Sequence, residues 1–183
     1  MSDTHLIEEQ IDNREVFSGR LLKVQVDRVR LPDGAEAIRE YILHPGAVVV
    51  IAVLDNGNLL FERQFRYPLN RVFLEVPAGK IDPGEEILDC AVRELREETG
   101  YEAAEWSYLG QTHPCIGYSN ERLEYFLARG LNHVGHDLDE EEFLEVLEMT
   151  VKDAYAAVLD GRITDGKTIS GLFLARNALF GNP

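Results

Sequence analysis

The sequence has little basic charge, little cysteine and no long apolar run. Its 18 Lys+Arg face 33 Asp+Glu, for a formal net charge of −15. That deficit excludes a protein that wraps a nucleic-acid duplex, because phosphate binding needs clustered Lys and Arg. It equally excludes a peripheral anchor on anionic lipid. Two cysteines, Cys90 and Cys115, are too few for a disulfide framework and match no zinc spacing. They read as reduced packing residues of a cytoplasmic protein. The longest apolar run, Ala47 to Leu54, falls far short of the ~20 residues a membrane-spanning helix needs. The opening Met-Ser-Asp-Thr-His has no basic region leading into an apolar stretch, so no secretory signal is expected. With 45% hydrophobic residues the chain can build a core, which excludes a disordered tail.

What is present reads as mixed strands with two or three helices, an α+β arrangement. From Val16 to Leu43 apolar and polar residues alternate on either side of Pro32-Asp33-Gly34, the pattern of a hairpin with a proline-glycine turn. Such a sheet is marginal by itself and must pack on something else. Residues 1–43 are therefore taken as an N-terminal antiparallel β subdomain, and 44–183 as the main domain. Val48 to Leu54 is a buried strand, Asn56-Gly57 a tight turn and Leu59 to Arg66 the return strand. Further strands are expected over 71–77, 106–112, 123–128 and 143–150. Asp82-Pro83 is read as the start of a helix, with the proline at its first position. Leu88, Ala91, Val92, Leu95 and Thr99 supply its apolar face, and Gly100 ends it. Later helices are expected over 151–159 and 168–179.

The helix after Gly79 carries the chemistry. Glu94, Glu97 and Glu98 lie three and four positions apart, so a helix puts them on one face within one turn. Like charges at that spacing cost a helix a few tenths of a kcal/mol, and a divalent cation would cancel the repulsion. Carboxylate oxygens suit Mg²⁺, Mn²⁺ or Ca²⁺ rather than zinc. Arg93 can bridge to Asp89 and Glu97 or orient Glu85. Gly79 would let the backbone approach a ligand closely. On charge alone, a solvated acidic helix face remains open.

The full spacing goes further. Gly79, Glu85, Arg93, Glu94, Leu95, Glu97, Glu98, Gly100 and Tyr101 fall at the defined positions of a 23-residue pattern that resembles the Nudix hydrolase box. The resemblance implies the Nudix fold, a mixed β-sheet sandwiched between helices with a loop–helix–loop metal site. It implies hydrolysis of a nucleoside diphosphate linked to a further group. Position by position it implies Glu94, Glu97 and Glu98 as metal ligands and Ala78 as a backbone-carbonyl ligand. Glu85 and Arg93 then support the loop–helix geometry.

Residues 44–131 resemble the ADP-ribose pyrophosphatase branch of that family. The likeness rests on His44-Pro-Gly-Ala-Val, Arg63-Gln-Phe-Arg66-Tyr-Pro, Leu74-Glu-Val-Pro-Ala-Gly79, Pro114, and Gly117-Tyr-Ser-Asn-Glu121-Arg. Arg66 matches a position that contacts the diphosphate, which suits the forked guanidinium. Substrate contacts are expected from Arg66, Arg39, Glu40 and Glu121. Arg39 stands where some relatives carry an aromatic ring, and a guanidinium can also stack on a base. The acidic stretch from Asp137 to Glu145 matches a loop that carries a catalytic glutamate, here Glu142 first and Glu141 next. Such a loop closes over its substrate. Asp165 or Thr168 is expected to cap the last helix.

The resemblance thus implies Mg²⁺, with Mn²⁺ as the alternative, and splitting of ADP-ribose into AMP and ribose 5-phosphate. Glu97 and Arg93 join the loop glutamates in the catalytic set. A nucleoside diphosphate sugar is the implied partner, with a homodimer built through residues 16–43. Two other readings stay open: hydrolysis of GDP-mannose or ADP-glucose, and a Nudix domain that senses a nucleotide without cleaving it.

Overall fold

A computed structural model describes residues 3–135 and 143–181. The chain divides into two compact units, described separately below. One comprises residues 1–44 with 115–121, the other residues 45–114 with 122–183.

The first unit is a three-stranded antiparallel sheet in the order β1-β2-β3, formed by Glu9–Ser18, Lys23–Arg30 and Glu36–Leu43. The expected turn joins β2 to β3. Leu31 N–H donates to the Ala35 carbonyl at 2.8 Å, and Gly34 adopts the positive φ of +89° that glycine tolerates. The first strand is absent from the alternation read in the sequence, because nine of its ten residues are exposed. A strand with no buried face leaves no period of two. Segment 115–121 joins this unit by the edge: Ile42 N–H donates to the Tyr118 carbonyl at 2.8 Å, and His44 N–H to Asn120 Oδ1 at 2.7 Å.

The second unit holds a four-stranded mixed sheet in the order β7-β4-β9-β8: Ala78–Lys80, Ala47–Ala52, Leu123–His133 and Tyr101–Thr112. β4 runs parallel to β9 and antiparallel to β7. All six residues of β4 are buried. Alternate side chains explain why. Val49 and Ile51 enter one core with Leu172 and Ala175 of α3 (Gly166–Phe180) and Ala154 and Ala157 of α2 (Val151–Leu159). Val48, Val50 and Ala52 enter another with Cys90, Ala91 and Leu95 of α1 (Ile87–Thr99). A strand covered on both faces reads as one apolar run. The expected mixed sheet between helices is the observed architecture.

A second sheet of this unit orders β10-β5-β6: Leu144–Met149, Leu59–Arg66 and Arg71–Glu75. The Asn56-Gly57 turn forms, with Gly57 N–H on the Leu54 carbonyl at 2.8 Å. Its two strands do not stay paired. After one bridge, Val53 to Leu59, they part into different sheets, since each finds partners on both edges.

Two expectations for α1 are corrected. The helix starts at Ile87 with Glu86 as N-cap, not at Asp82-Pro83. Asp82 to Glu85 instead forms a turn, closed by Glu85 N–H on the Asp82 carbonyl at 3.0 Å, with Gly84 at φ +82°. Proline followed by glycine is the signature of such a turn, which outcompetes a helical first position. The buried face is also rotated. Leu88 and Val92 are 41% and 38% exposed, whereas Cys90, Ala91, Glu94, Leu95 and Glu98 are buried. Ala91, Leu95 and Thr99 point inward as expected, but two carboxylates share that face and displace Leu88 and Val92 to its rim.

Candidate active site

α1 lies against β7, and this packing builds the site. Gly79 of β7 sits beneath the carboxylate of Glu94. A Cβ at Gly79 would lie 1.8 Å from Glu94 Cδ, so only glycine leaves the space. The sequence suggested room for a ligand there; the structure fills it with a carboxylate of the box. Next to it, Glu98 Oε2 accepts the Ala78 N–H at 2.9 Å, which ties the backbone of that loop to the helix.

Arg93 organises the remaining acids. Its Nε and Nη2 grip Glu85 at 2.8 and 3.0 Å, a bidentate pair across the turn that precedes the helix. Its Nη1 donates to Glu94 at 2.8 Å and Glu97 at 3.0 Å, and Nη2 also reaches the Lys80 carbonyl at 3.2 Å. The Arg93 hydrogen bonds hold the Glu85 carboxyl down at about 2, and the same bonds raise the guanidinium. Asp89 takes no hydrogen bond from Arg93 among those described, so of the alternatives read from the sequence the structure selects Glu85 and Glu97. Cys90 is a buried packing thiol whose Sγ donates to the Lys80 carbonyl at 3.4 Å. Burial pushes its pKa up, away from reactivity.

Among the described residues no three His, Cys, Asp or Glu side chains converge as a ready metal cage. The donor set nonetheless fits a hard cation. Glu94 and Glu98 supply oxygens beside the Gly79 and Ala78 backbone, and Glu97 supplies another on the same helix, tied to Glu94 through Arg93. Glu94 and Glu97 both accept from Nη1 of Arg93, so one cation already stands where several acids meet. A divalent ion would compete with Arg93 for these two carboxylates.

Arg66 belongs to a second cluster of the same unit. Its Nε and Nη2 bind buried Glu75 of β6 at 2.8 and 2.7 Å. Lys167, in the first turn of α3, also binds Glu75, and reaches Asp165 at 3.0 Å. Asp165 caps the helix as expected, accepting Thr168 N–H at 3.0 Å, while Thr168 Oγ1 accepts Val76 N–H at 3.0 Å. Burial would raise the Glu75 pKa, but Arg66 and Lys167 together bring it below its ordinary value. Arg66 also feels the charge of Glu98, so the two clusters are electrostatic neighbours. The sequence singles out neither residue: Glu75 enters only within the segment Leu74 to Gly79, and Lys167 lies between the expected caps Asp165 and Thr168. The missed signal was a lone acid in the apolar strand Val72-Phe73-Leu74-Glu75-Val76.

The structure therefore gathers Ala78, Glu85, Arg93, Glu94, Glu97 and Glu98 around one helix–loop junction, with Arg66 nearby. Arg39, Glu40 and Glu121 belong to the first unit. There Arg39 Nε donates to Glu8 at 2.9 Å, Glu40 is exposed opposite Val26, and Glu121 lies 3.8 Å from His44. Glu141 and Glu142 lie outside the described residues, as does His136. His133, the last residue of β9 rather than part of a loop, packs edge-on against Tyr101, and Trp106 packs edge-on against Phe126. No described helix is long and apolar enough to cross a membrane.

Comparison with known proteins identifies the family. Residues 43–171 match the model of the NUDIX domain, and residues 8–42 that of the nucleoside diphosphate sugar hydrolase N-terminal domain. An ADP-ribose pyrophosphatase of Bacillus subtilis is 41% identical over 89% of each chain. A methanol dehydrogenase activator of Bacillus methanolicus is 39% identical over 88% of this chain and 89% of its own. A crystal structure of an ADP compounds hydrolase superimposes with a TM-score of 0.86 over 96% of this chain and 97% of that one, at 24% identity, a likeness of fold. On the box geometry and these matches together, the chain belongs to the Nudix hydrolase family and resembles its ADP-ribose pyrophosphatase branch.

Proposed function

We propose that this protein is a divalent-metal-dependent pyrophosphatase that splits ADP-ribose into AMP and ribose 5-phosphate. The observation that carries the reading is one helix that sets Glu94 against Gly79 and Glu98 on the Ala78 N–H, while Arg93 ties Glu94 and Glu97 to Glu85. The 41% identical relative named for this activity supports the substrate.

Glu94, Glu97, Glu98 and the Ala78 carbonyl would hold Mg²⁺, or Mn²⁺ in its place. A bound divalent ion neutralises phosphate charge and acidifies a coordinated water. The rest falls to the chain. Arg93 keeps Glu94 and Glu97 aligned through its anchor on Glu85. Arg66 pairs with the diphosphate. Arg39, Glu40 and Glu121 frame the nucleoside and sugar. Glu142, with Glu141 as the alternative, takes the proton of the attacking water. Water adds to one phosphorus, the bridging P–O bond breaks, and the bridge oxygen leaves with the other phosphate. The exposed apolar residues Val16, Phe17, Leu22 and Ile38 of the first unit support a homodimer through residues 16–43. The free Cys90 and Cys115 suit the reducing cytoplasm.

A broader reading, hydrolysis of another nucleoside diphosphate sugar such as GDP-mannose or ADP-glucose, is favoured by the match of residues 8–42, whose description names no base or sugar. Product chromatography of ADP-ribose, GDP-mannose, ADP-glucose and NADH, with and without Mg²⁺, decides. AMP formed fastest from ADP-ribose, and only with metal, is the expected result. GMP formed fastest from GDP-mannose would keep the mechanism and change the substrate. No turnover of any would overturn the enzyme and leave a nucleotide sensor.

A further inference from the structure

Arg66 is gripped along one edge and open along the other. A guanidinium carries five N–H groups in one plane. The bonds to Glu75, at 2.8 Å from Nε and 2.7 Å from Nη2, use one N–H from each nitrogen. The opposite edge, Nη1 with the second N–H of Nη2, donates to no described protein partner, and the side chain is 42% exposed while that of Glu75 is 4% exposed. We propose that Glu75 is a positioning residue: it aims the outer edge of Arg66 at the substrate diphosphate, and Lys167 locks it in place from α3. This rests on the reading of the site as a diphosphate-hydrolysing centre.

Because the guanidinium is rigid, fixing one edge fixes the direction of the other. Glu75 is itself well fixed. It lies across from Glu62 in the β5–β6 register, and its neighbour Val76 is bonded to Thr168. Lys167 comes from the same helix turn. Asp165, which caps that turn, holds Lys167 from the other side. Sharing Glu75 with a second cation leaves Arg66 less neutralised, so its outer edge stays attractive to an anion. An unheld arginine would lose rotamer freedom on meeting phosphate, and a held one has lost it already.

The test is a double-mutant cycle between Glu75→Gln and Arg66→Ala. Two readouts are used: KM and kcat for the substrate turned over fastest, and calorimetric binding of inorganic pyrophosphate with Mg²⁺. Glu75→Gln keeps the shape but sets an N–H₂ against an arginine N–H. We expect KM to rise, and pyrophosphate binding to weaken, about tenfold with kcat changed much less. In the Arg66→Ala background the same substitution should have no further effect. Lys167→Met, which leaves the arginine fork intact, should weaken binding about threefold and only while Arg66 is present. If Glu75→Gln fails to fold, the Lys167 cycle decides in its place. Equal weakening with and without Arg66, a loss confined to kcat or thermal stability, or no pyrophosphate binding by the unaltered protein would each overturn the proposal. Failure to hydrolyse any nucleoside diphosphate sugar would overturn the functional reading instead, and the pyrophosphate cycle would still decide the role of Glu75.

Discussion

β4 of the second unit buries all six of its residues, whereas β1 of the first leaves nine of ten exposed. The contrast extends to how each unit treats charge. In the second, buried Glu75, Glu94 and Glu98 sit beside β strands and helices that supply Arg66, Lys167, Arg93 and a backbone N–H as partners. In the first, the buried acid Asp27 is met by neutral donors: Gln10 and Asn13 each reach it at 2.6 Å, and Tyr41 at 3.2 Å. One unit has two apolar cores and tolerates buried carboxylates by giving each a cation or a backbone N–H. The other has a polar network and a surplus of exposed apolar residues, which is the composition of a surface that is meant to be covered. The comparison teaches that the acids of the second unit are an electrostatic liability held by packing and paired partners, and that the first unit lacks an apolar core of its own.

The strongest test of that liability is Glu97→Gln. Glu97 is half-buried and is bound only through Arg93 in the described structure, so its charge matters more to a metal than to the fold. We expect kcat/KM to fall about a thousandfold, since charge stabilisation at a metal site is worth several kcal/mol. Thermal unfolding should shift little. Near-normal turnover would remove Glu97 from the site.

Gly79→Ala separates fold from function more finely. The three atoms nearest the new Cβ all belong to the carboxylate of Glu94, the far end of a flexible side chain. The fold can therefore yield by moving that carboxylate, while the site cannot. An activity loss of about a hundredfold is expected, the scale set by a displacement of about 1 Å. Melting temperature should be nearly unchanged. A large loss of stability with activity per folded molecule intact would show that the close approach serves packing alone.

These two residues also mark how far the sequence was legible. The Glu94, Glu97, Glu98 spacing and Arg93 could be read directly, because a helix has one period and the box fixes it. β4 was legible as an apolar run covered on both faces. The start of α1 was not, because Pro83 suits a helix N-terminus and a turn equally, and only Gly84 with its positive φ decides. The buried face was read only in part, with Ala91, Leu95 and Thr99 correct, because Glu94 and Glu98 count as polar in any hydrophobic pattern. β1 was invisible for want of a buried side. Glu75 with Lys167 could not be paired, since they meet across 92 positions of chain.

The exposed apolar face of the first unit gives the next test. Ile38 is 55% exposed, so Ile38→Glu costs the single chain little. If residues 16–43 form the dimer contact, light scattering should show a monomer where the unaltered protein shows a dimer. The melting temperature should also lose its dependence on concentration. A dimer of unchanged mass would place the contact elsewhere and break the contrast drawn between the units.

The smallest expected effect concerns the Glu85–Arg93 pair. Arg93 holds the folded-state pKa of Glu85 down at about 2, from an ordinary value of 4.5. A depressed carboxyl pKa favours the folded state while the group is ionised in both states, so the contribution is fully present above about pH 4.5. As the pH drops below that value the unfolded chain takes up the proton first, and the contribution declines until the folded carboxyl also titrates near pH 2. The pair is partly solvated, with the Glu85 side chain 16% and the Arg93 side chain 31% exposed, so the effect is modest. Glu85→Gln should lower the melting temperature by a few degrees at pH 7, and the gap to the unaltered protein should narrow steadily between pH 4.5 and pH 2.5. A gap that stays constant over that range would mean that Glu85 acts through its hydrogen-bonding shape, as acceptor of the Asp82 N–H at 3.0 Å, rather than through its charge.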